Sequence, residues 1–417
     1  MKRECFLTLV LVLLVWAAWC APSCAAVVKT HKSAQGWELL VDGKPFFIHG
    51  MCYFPDTIGE SPDDNTRRNW EMVDDDHDGR NDFGYETWVD ANRNNKQDPG
   101  EKAIGDFELM RDMGVNTIRV YHHVSDDPAL QALNLRSSKT LNYPPEAEKK
   151  ILRELYKKFG IMTAMGDFLG AYTVSTGTSW DVGTDYTDPV QRANMLRSVE
   201  DMVKQYKDEP FVLMWSLGNE NNLPFSHTQA GHQQEAYAKF VNDAAALIKK
   251  FDKNHPVAVC NGGFNTIEYY AKYTPQADIF GLNLYVINGY FEMWKRAASI
   301  WDRPVMLTEF GTIAPIVKDG KLNEDFQVMV HQHSWEDIFN HRAGHQEPGN
   351  AIGGFVFEWA DNWWEDGDQW HHNINTNGSG WNHEYNGITT WGDGTSGSLT
   401  RQLRKAYWMY KEIWKQK

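Results

Sequence analysis

Apolar and polar positions fall in blocks along this chain: short apolar runs of strand length alternate with longer stretches whose apolar residues recur at helical spacing. The sharpest run is Phe211–Leu217, which stops at Gly218-Asn219-Glu220, and Pro304-Val305-Met306-Leu307-Thr308-Glu309-Phe310-Gly311 has the same form. Each reads as a buried parallel strand with a carboxylate at its C-terminal end. Before them, residues 37–41 and 44–48 flank Asp42-Gly43 and predict a hairpin whose second arm runs on to Tyr53 as the first strand of a larger sheet. From Lys102 onward the alternation is regular. Helices are predicted over 107–113, 146–159, 189–206, 230–251 and 401–414, and strands over 114–121, 161–165, 211–217, 256–260, 279–285, 305–308 and 352–357. Eight strands alternating with helices, without a Gly-rich phosphate loop, predict an α/β fold, a (β/α)8 TIM barrel. A doubly wound sheet is the weaker rival.

One stretch breaks the rhythm. Residues 55–101 are polar and acidic with little helical period, an insertion after the first strand. No repeat or linker appears, so 27–417 reads as one catalytic domain. The net charge of −15 excludes a basic nucleic-acid surface, and the 18 Trp exceed what a core alone needs, leaving rings to stack on flat ligands such as sugars. Lys2-Arg3, the apolar run 6–19 and the small residues 21–26 predict an export signal over 1–26, with acylation at Cys24 as the alternative. The expected location is periplasmic or extracellular, and no other segment is apolar enough to span a bilayer. Cys52 and Cys260, placed across the barrel from one another, are expected as buried free thiols.

Two stretches of the insertion carry candidate metal chemistry. Asp90, Asn92, Asn94, Asp98 and Glu101 occupy positions 1, 3, 5, 9 and 12 of a twelve-residue calcium loop, and Asp74, Asp76, Asp78 and Asp82 occupy positions 1, 3, 5 and 9 of another. Tyr85 stands at position 12 of the latter, so Glu86 or another segment must close it. Structural calcium, pinning the insertion, is the expected cofactor; no organic cofactor is. The pair Glu220 and Glu309 suggests glycosidic-bond chemistry, because a carboxylate ending a buried strand is costly unless paired or functional. Asp167, after the third strand, is expected to face the same mouth as a sugar contact.

Three segments, Trp215–Glu220, Thr308–Gly311 and Gly353–Trp359, together resemble the retaining glycoside hydrolases of clan A, most closely the family 2 catalytic barrels, with a family 5 flavour around Glu309. The resemblance implies Glu220 as general acid/base and Glu309 as nucleophile. It implies Arg119 and Tyr285 as partners of Glu309, Asn219 on the sugar 2-hydroxyl, His122 beside the cleft, and Trp359 as floor of the subsite. Family 2 members usually carry β-sandwich domains before the barrel, and the segment after the expected signal is too short for one. The loop 361–372, aromatic and acidic, is expected to wall the cleft. The activity expected is that of a secreted retaining β-glycosidase acting on β-linked oligo- or polysaccharide. A β-glycan transglycosylase would use the same two glutamates, and a calcium-stabilised carbohydrate-binding protein would need neither.

Overall fold

The computed structural model describes residues 25–133, 144–290, 292–316, 321–374 and 382–415. All of the expected export signal except Ala25 and Ala26, Cys24 included, therefore lies outside the described residues. Eight parallel strands close into a barrel in chain order: β1 Ile48–Cys52, β2 Thr117–Val120, β3 Met162–Asp167, β4 Val212–Leu217, β5 Val257–Gly262, β6 Ile279–Asn283, β7 Val305–Phe310 and β8 Ala351–Val356. Helices α1 Asp106–Met113, α2 Pro145–Phe159, α3 Pro189–Tyr206, α4 Gln234–Phe251, α5 Ile267–Tyr273, α6 Met293–Ile300, α7 Glu324–Asn340 and α8 Lys405–Ile413 follow the strands in turn. The fold is a (β/α)8 barrel, as the block pattern predicts. The predicted hairpin gains a third strand, Val28–Ser33 pairing Gly36–Val41, and Val28 and Leu39 join Ile48, Met214, Ile352 and other barrel-filling side chains in one apolar cluster. Cys52 and Cys260 are buried and free.

The insertion is more ordered than its composition suggests. It holds a turn at Trp70–Met72, a helical turn at Asp82–Tyr85 and a short strand, Trp88–Val89. That strand corrects the expectation of a helix over 401–414. Thr400–Leu403 is itself a strand, parallel to Trp88–Val89 and antiparallel to Thr389–Thr390, and α8 begins only at Lys405. The reason is ionic: Arg401 reaches Asp106 with Nε–Oδ1 2.9 Å and Nη2–Oδ2 2.8 Å, and Arg404 reaches Asp361 with both contacts at 2.7 Å, all four side chains wholly buried. A forked guanidinium–carboxylate pair needs its carboxylate in one fixed place, and here that fixes the backbone as well. No helix among the described residues is long and apolar enough to cross a membrane.

Candidate active site

The chain leaves β4 through Gly218, at φ 82°, where an added Cβ would stand 2.5 Å from Asn221 Oδ1 and 2.6 Å from Tyr237 Oη. Only glycine fits. Glu220 follows at φ 55°, a left-handed backbone that costs a non-glycine residue about 1 kcal/mol or more. It is held there by its own N–H on Cys260 O and by Ser226 Oγ donating to its carbonyl. The turn aims the Glu220 side chain into a cleft of about 420 Å³ at the C-terminal end of the barrel, which Glu309 also lines.

Glu309 sits in a cage of donors. Arg119 Nη1 donates to Oε1 at 2.8 Å, Tyr121 Oη donates to the same oxygen at 2.8 Å, and Tyr285 Oη donates to Oε2 at 2.6 Å. Burial foremost, with neighbouring acids after it, pushes both phenols well above their usual range, so they remain donors. Arg119 Nη2 donates to Asn219 Oδ1 at 2.9 Å, and Asn283 Nδ2 donates to the same oxygen at 3.2 Å. These bonds fix the Asn219 amide with its NH2 turned the other way, 3.3 Å from Tyr172 Oη. Glu220 behaves differently from its partner: burial, then the charge of Glu309, lifts its carboxyl to about 8. One carboxyl is thus kept protonated at neutral pH, while the other accepts from a guanidinium and two phenols.

His122 lines the cleft and stacks on Phe168 at 5.3 Å, where its Nδ1 accepts the Phe168 N–H at 3.1 Å. Burial drops its pKa to about 4, so the ring is neutral and Nε2–H is its remaining donor.

Two expected sugar contacts lie elsewhere. Asp167 is wholly buried behind the cleft, accepting from Leu169 N at 2.8 Å and Ser198 Oγ at 2.6 Å. Met162 and Ala164 fill the barrel, so Asp167, at the opposite parity, faces α3. Trp359 is 1% exposed and packs in the outer core with Tyr53 and Tyr407. Phe357, two residues earlier, is the strand-eight ring in the cleft, 6.0 Å from Tyr285. Tyr121, Asn283 and Phe357 went unread in the sequence, although Tyr121 lies two residues beyond Arg119 on the same strand face.

The insertion and the loops after β3 and β8 complete the walls. Phe54, Trp70, Phe168, Tyr172, Trp180 and Trp364 supply rings, and Asp63, Glu71 and Glu365 supply acids. His371 and His372 stand outside this lining: the His372 ring stacks on Tyr385 at 3.8 Å. In the loop of residues 90–101 the carboxylates serve the loop itself. Asp90 accepts from Asn94 N and Asn95 N, Glu101 from Ala91 N and Asp98 N, and Asp98 Oδ2 from the amides of Asn92 and Asn94. The carboxylates of Asp74, Asp76, Asp78 and Asp82 likewise accept backbone N–H groups of their own loop, and they also come together in two overlapping groups, the second of which includes Glu86. His122, His123 and Asp167 also lie close enough to share an ion, but His122 Nδ1 and both Asp167 oxygens already accept protein N–H or O–H groups.

A family model described as "Glycosyl hydrolases family 2, TIM barrel domain" matches residues 90–416. A β-glucuronidase of Chlorocebus aethiops is 23% identical over 314 residues, 70% of this chain and 35% of that protein. A probable mannan endo-1,4-β-mannosidase C of Aspergillus terreus is 30% identical over 106 residues, 23% of this chain and 25% of that one. Among solved structures, a β-D-glucuronidase of Dictyoglomus thermophilum superposes with a TM-score of 0.56 at 14% identity, over 94% of this chain and 54% of that one. A β-glucuronidase of Ruminococcus gnavus gives 0.54 at 16%, over 94% and 53%. The chain spans about a third of the length of the glucuronidase relative and about half of each solved structure. At these identities the structural likeness speaks for the fold alone.

Proposed function

The chain belongs to glycosyl hydrolase family 2, and from that membership we propose that it is a retaining β-glycosidase acting on β-linked oligo- or polysaccharide. The observation that carries the reading is the unequal treatment of two carboxyls in one cleft. Glu309 accepts three hydrogen bonds from Arg119, Tyr121 and Tyr285, while Glu220 keeps its proton up to about pH 8. Retaining hydrolysis needs such a pair. Glu309 attacks the anomeric carbon as Glu220 passes its proton to the departing oxygen, and a glycosyl ester on Glu309 results. Glu220, now a carboxylate, takes a proton from water, whose oxygen displaces Glu309 and restores both groups. Asn219 offers its NH2 to the sugar hydroxyl beside the reacting carbon.

The charges of the cleft favour a neutral ring over a uronide. Among the described lining residues the arginines are committed, Arg119 to Glu309 and Arg67 to Asp56, whereas Asp63 and Glu71 are acidic; burial, then the charge of Asp366, raises the Glu365 carboxyl to about 8, so it adds no charge at neutral pH. A sugar carboxylate would meet like charge there and lose its water without a free cation in return. Export is part of the same reading, resting on the charged, apolar and small-residue order of residues 1–26; N-terminal sequencing of the mature protein tests it.

The deciding experiment incubates the protein and its Glu309→Ala variant with a panel of β-linked oligosaccharides and reads the products by mass spectrometry. Shorter sugars from the wild type alone support the proposal, and longer ones assign transfer to a sugar acceptor by the same two glutamates. No product from any substrate, together with no covalent adduct from 2-deoxy-2-fluoro glycosides, refutes it.

A further inference from the structure

Beside the cleft, the insertion holds a group of carboxylates that catalysis does not use. Asp74, Asp76 and Asp78 each bring a carboxylate oxygen within 4.8 Å of the others, and so do Asp76, Asp82 and Glu86. Glu86 thus takes the closing place that Tyr85, at position 12, cannot fill. The neighbouring cations are directed elsewhere: Arg68 pairs with Glu60 and Asp75, and Arg80 lies over the Tyr85 ring at 4.9 Å. A second observation separates this group from an ordinary acidic loop. Asp82 is only 4% exposed, and its Oδ1 has no hydrogen-bond partner; the buried Asp74 Oδ1 has none either. Orphaned carboxylate oxygens away from water are expensive, and a bound cation is the partner that satisfies several at once.

We infer that Asp74, Asp76, Asp78, Asp82 and Glu86 form a calcium site that holds one wall of the cleft in place. Five carboxylates and no nitrogen or sulfur donor suit a hard cation, and oxygens at alternate loop positions suit the larger, flexible shell of calcium over the strict octahedron of magnesium. The route from ion to cleft is short. Asp82 N donates to Val73 O at 2.9 Å, and Asn81 Nδ2 donates to Trp70 O at 2.6 Å and to Val73 O at 3.3 Å. Trp70 and Glu71 line the cleft, and the Trp70 ring meets Tyr53 at 4.7 Å. Ordering the loop therefore orders the wall. The inference concerns metal binding and stands whether or not the sugar chemistry proposed above is right.

Calorimetry with calcium chloride on the full mature chain, stripped beforehand with chelator, tests it. The expected result is saturable binding with a Kd between about 0.1 and 1 mM, as extracellular loops of this type show. A higher Tm in calcium than in chelator should accompany it, and magnesium at equal concentration should not substitute. Asp82→Asn keeps the shape of the buried side chain, and Asp76→Asn alters an exposed one that folding does not require; each should weaken binding at least tenfold. A chelator-insensitive Tm with no heat of binding overturns the inference. Binding that survives both substitutions unchanged overturns it too, because the ion then sits elsewhere. Where calcium binds as expected, its removal should also lower kcat/KM in any glycosidase assay.

Discussion

Replacing Glu220 with Gln should stabilise the folded chain while disabling it. Burial, and then the charge of Glu309, raises the carboxyl from 4.5 to about 8. Between those values the folded chain holds a proton that the unfolded chain has released, so stability present at low pH is lost as pH rises through the window. At about 1.4 kcal/mol per pH unit the penalty has a ceiling of about 4–5 kcal/mol by pH 8, and water at the cleft mouth reduces it to about 2–4 kcal/mol. Glutamine carries no charge and escapes it. For a chain of this length the variant should melt about 2–5 °C higher than wild type at pH 8, with the gap closing toward pH 4. Differential scanning fluorimetry across that range reads the curve. Kinetics give the other half: kcat/KM on glycosides with poor leaving groups should fall about 10²–10⁴-fold. Dinitrophenyl glycosides, whose leaving group needs no proton, should lose little in the glycosylation step. The wild-type alkaline limb near pH 8 should vanish in the variant. Parallel melting curves at every pH, or a limb near pH 8 that persists without Glu220, would refute the assignment of the raised carboxyl.

The donor cage around Glu309 can be dissected one bond at a time. Tyr285→Phe and Tyr121→Phe each remove a hydrogen bond to Glu309 worth about 1.5–3 kcal/mol, so each should lower kcat about 10–100-fold in steady-state assays and the melting midpoint by no more than about 4 °C. Arg119→Met strips Glu309 of its guanidinium and Asn219 of its anchor, and should cost more than either tyrosine and raise KM as well. On the scaffold side, Arg401→Met leaves Asp106 buried without its cation and should cost about 3–5 kcal/mol, read as a lower midpoint in urea. On the substrate side, nitrophenyl glycosides of neutral sugars should outrun the β-glucuronide at least tenfold, and Asp63→Asn should narrow the gap.

The sequence exposed much of the site because strand ends are local signals. Glu220 and Glu309 each end or follow an apolar run, and barrel closure brings such ends to one face, whereas Arg119, Asn219 and Tyr285 followed only from the resemblance to clan A barrels. Errors came where side-chain parity or distant partners decide. Asp167 looked like a strand-end acid, yet it points away from the barrel interior toward Ser198 on α3. Trp359 looked like the aromatic of strand eight, but β8 ends at Val356 and the cleft ring is Phe357. Helix α7 escaped notice because its buried face carries Gln327, His331 and Ser334, which blur an apolar stripe. The strand at Thr400–Leu403 was illegible for another reason. What shapes it is Asp106, almost three hundred residues earlier, and no window along the chain contains both.

That same pairing sets an order on synthesis. The glutamates and the strands that carry them leave the ribosome well before residue 398, when Trp88–Val89 still lacks its neighbour, Asp106 its arginine and Ile58 the Ser398 hydroxyl that receives its N–H. The insertion walling the cleft can be braced only once residues 398–404 have emerged. Once Glu309 has been made, a nascent chain thus carries both cleft carboxyls for about ninety residues more without the enclosure that makes them a site, and that enclosure arrives only with residues 398–404.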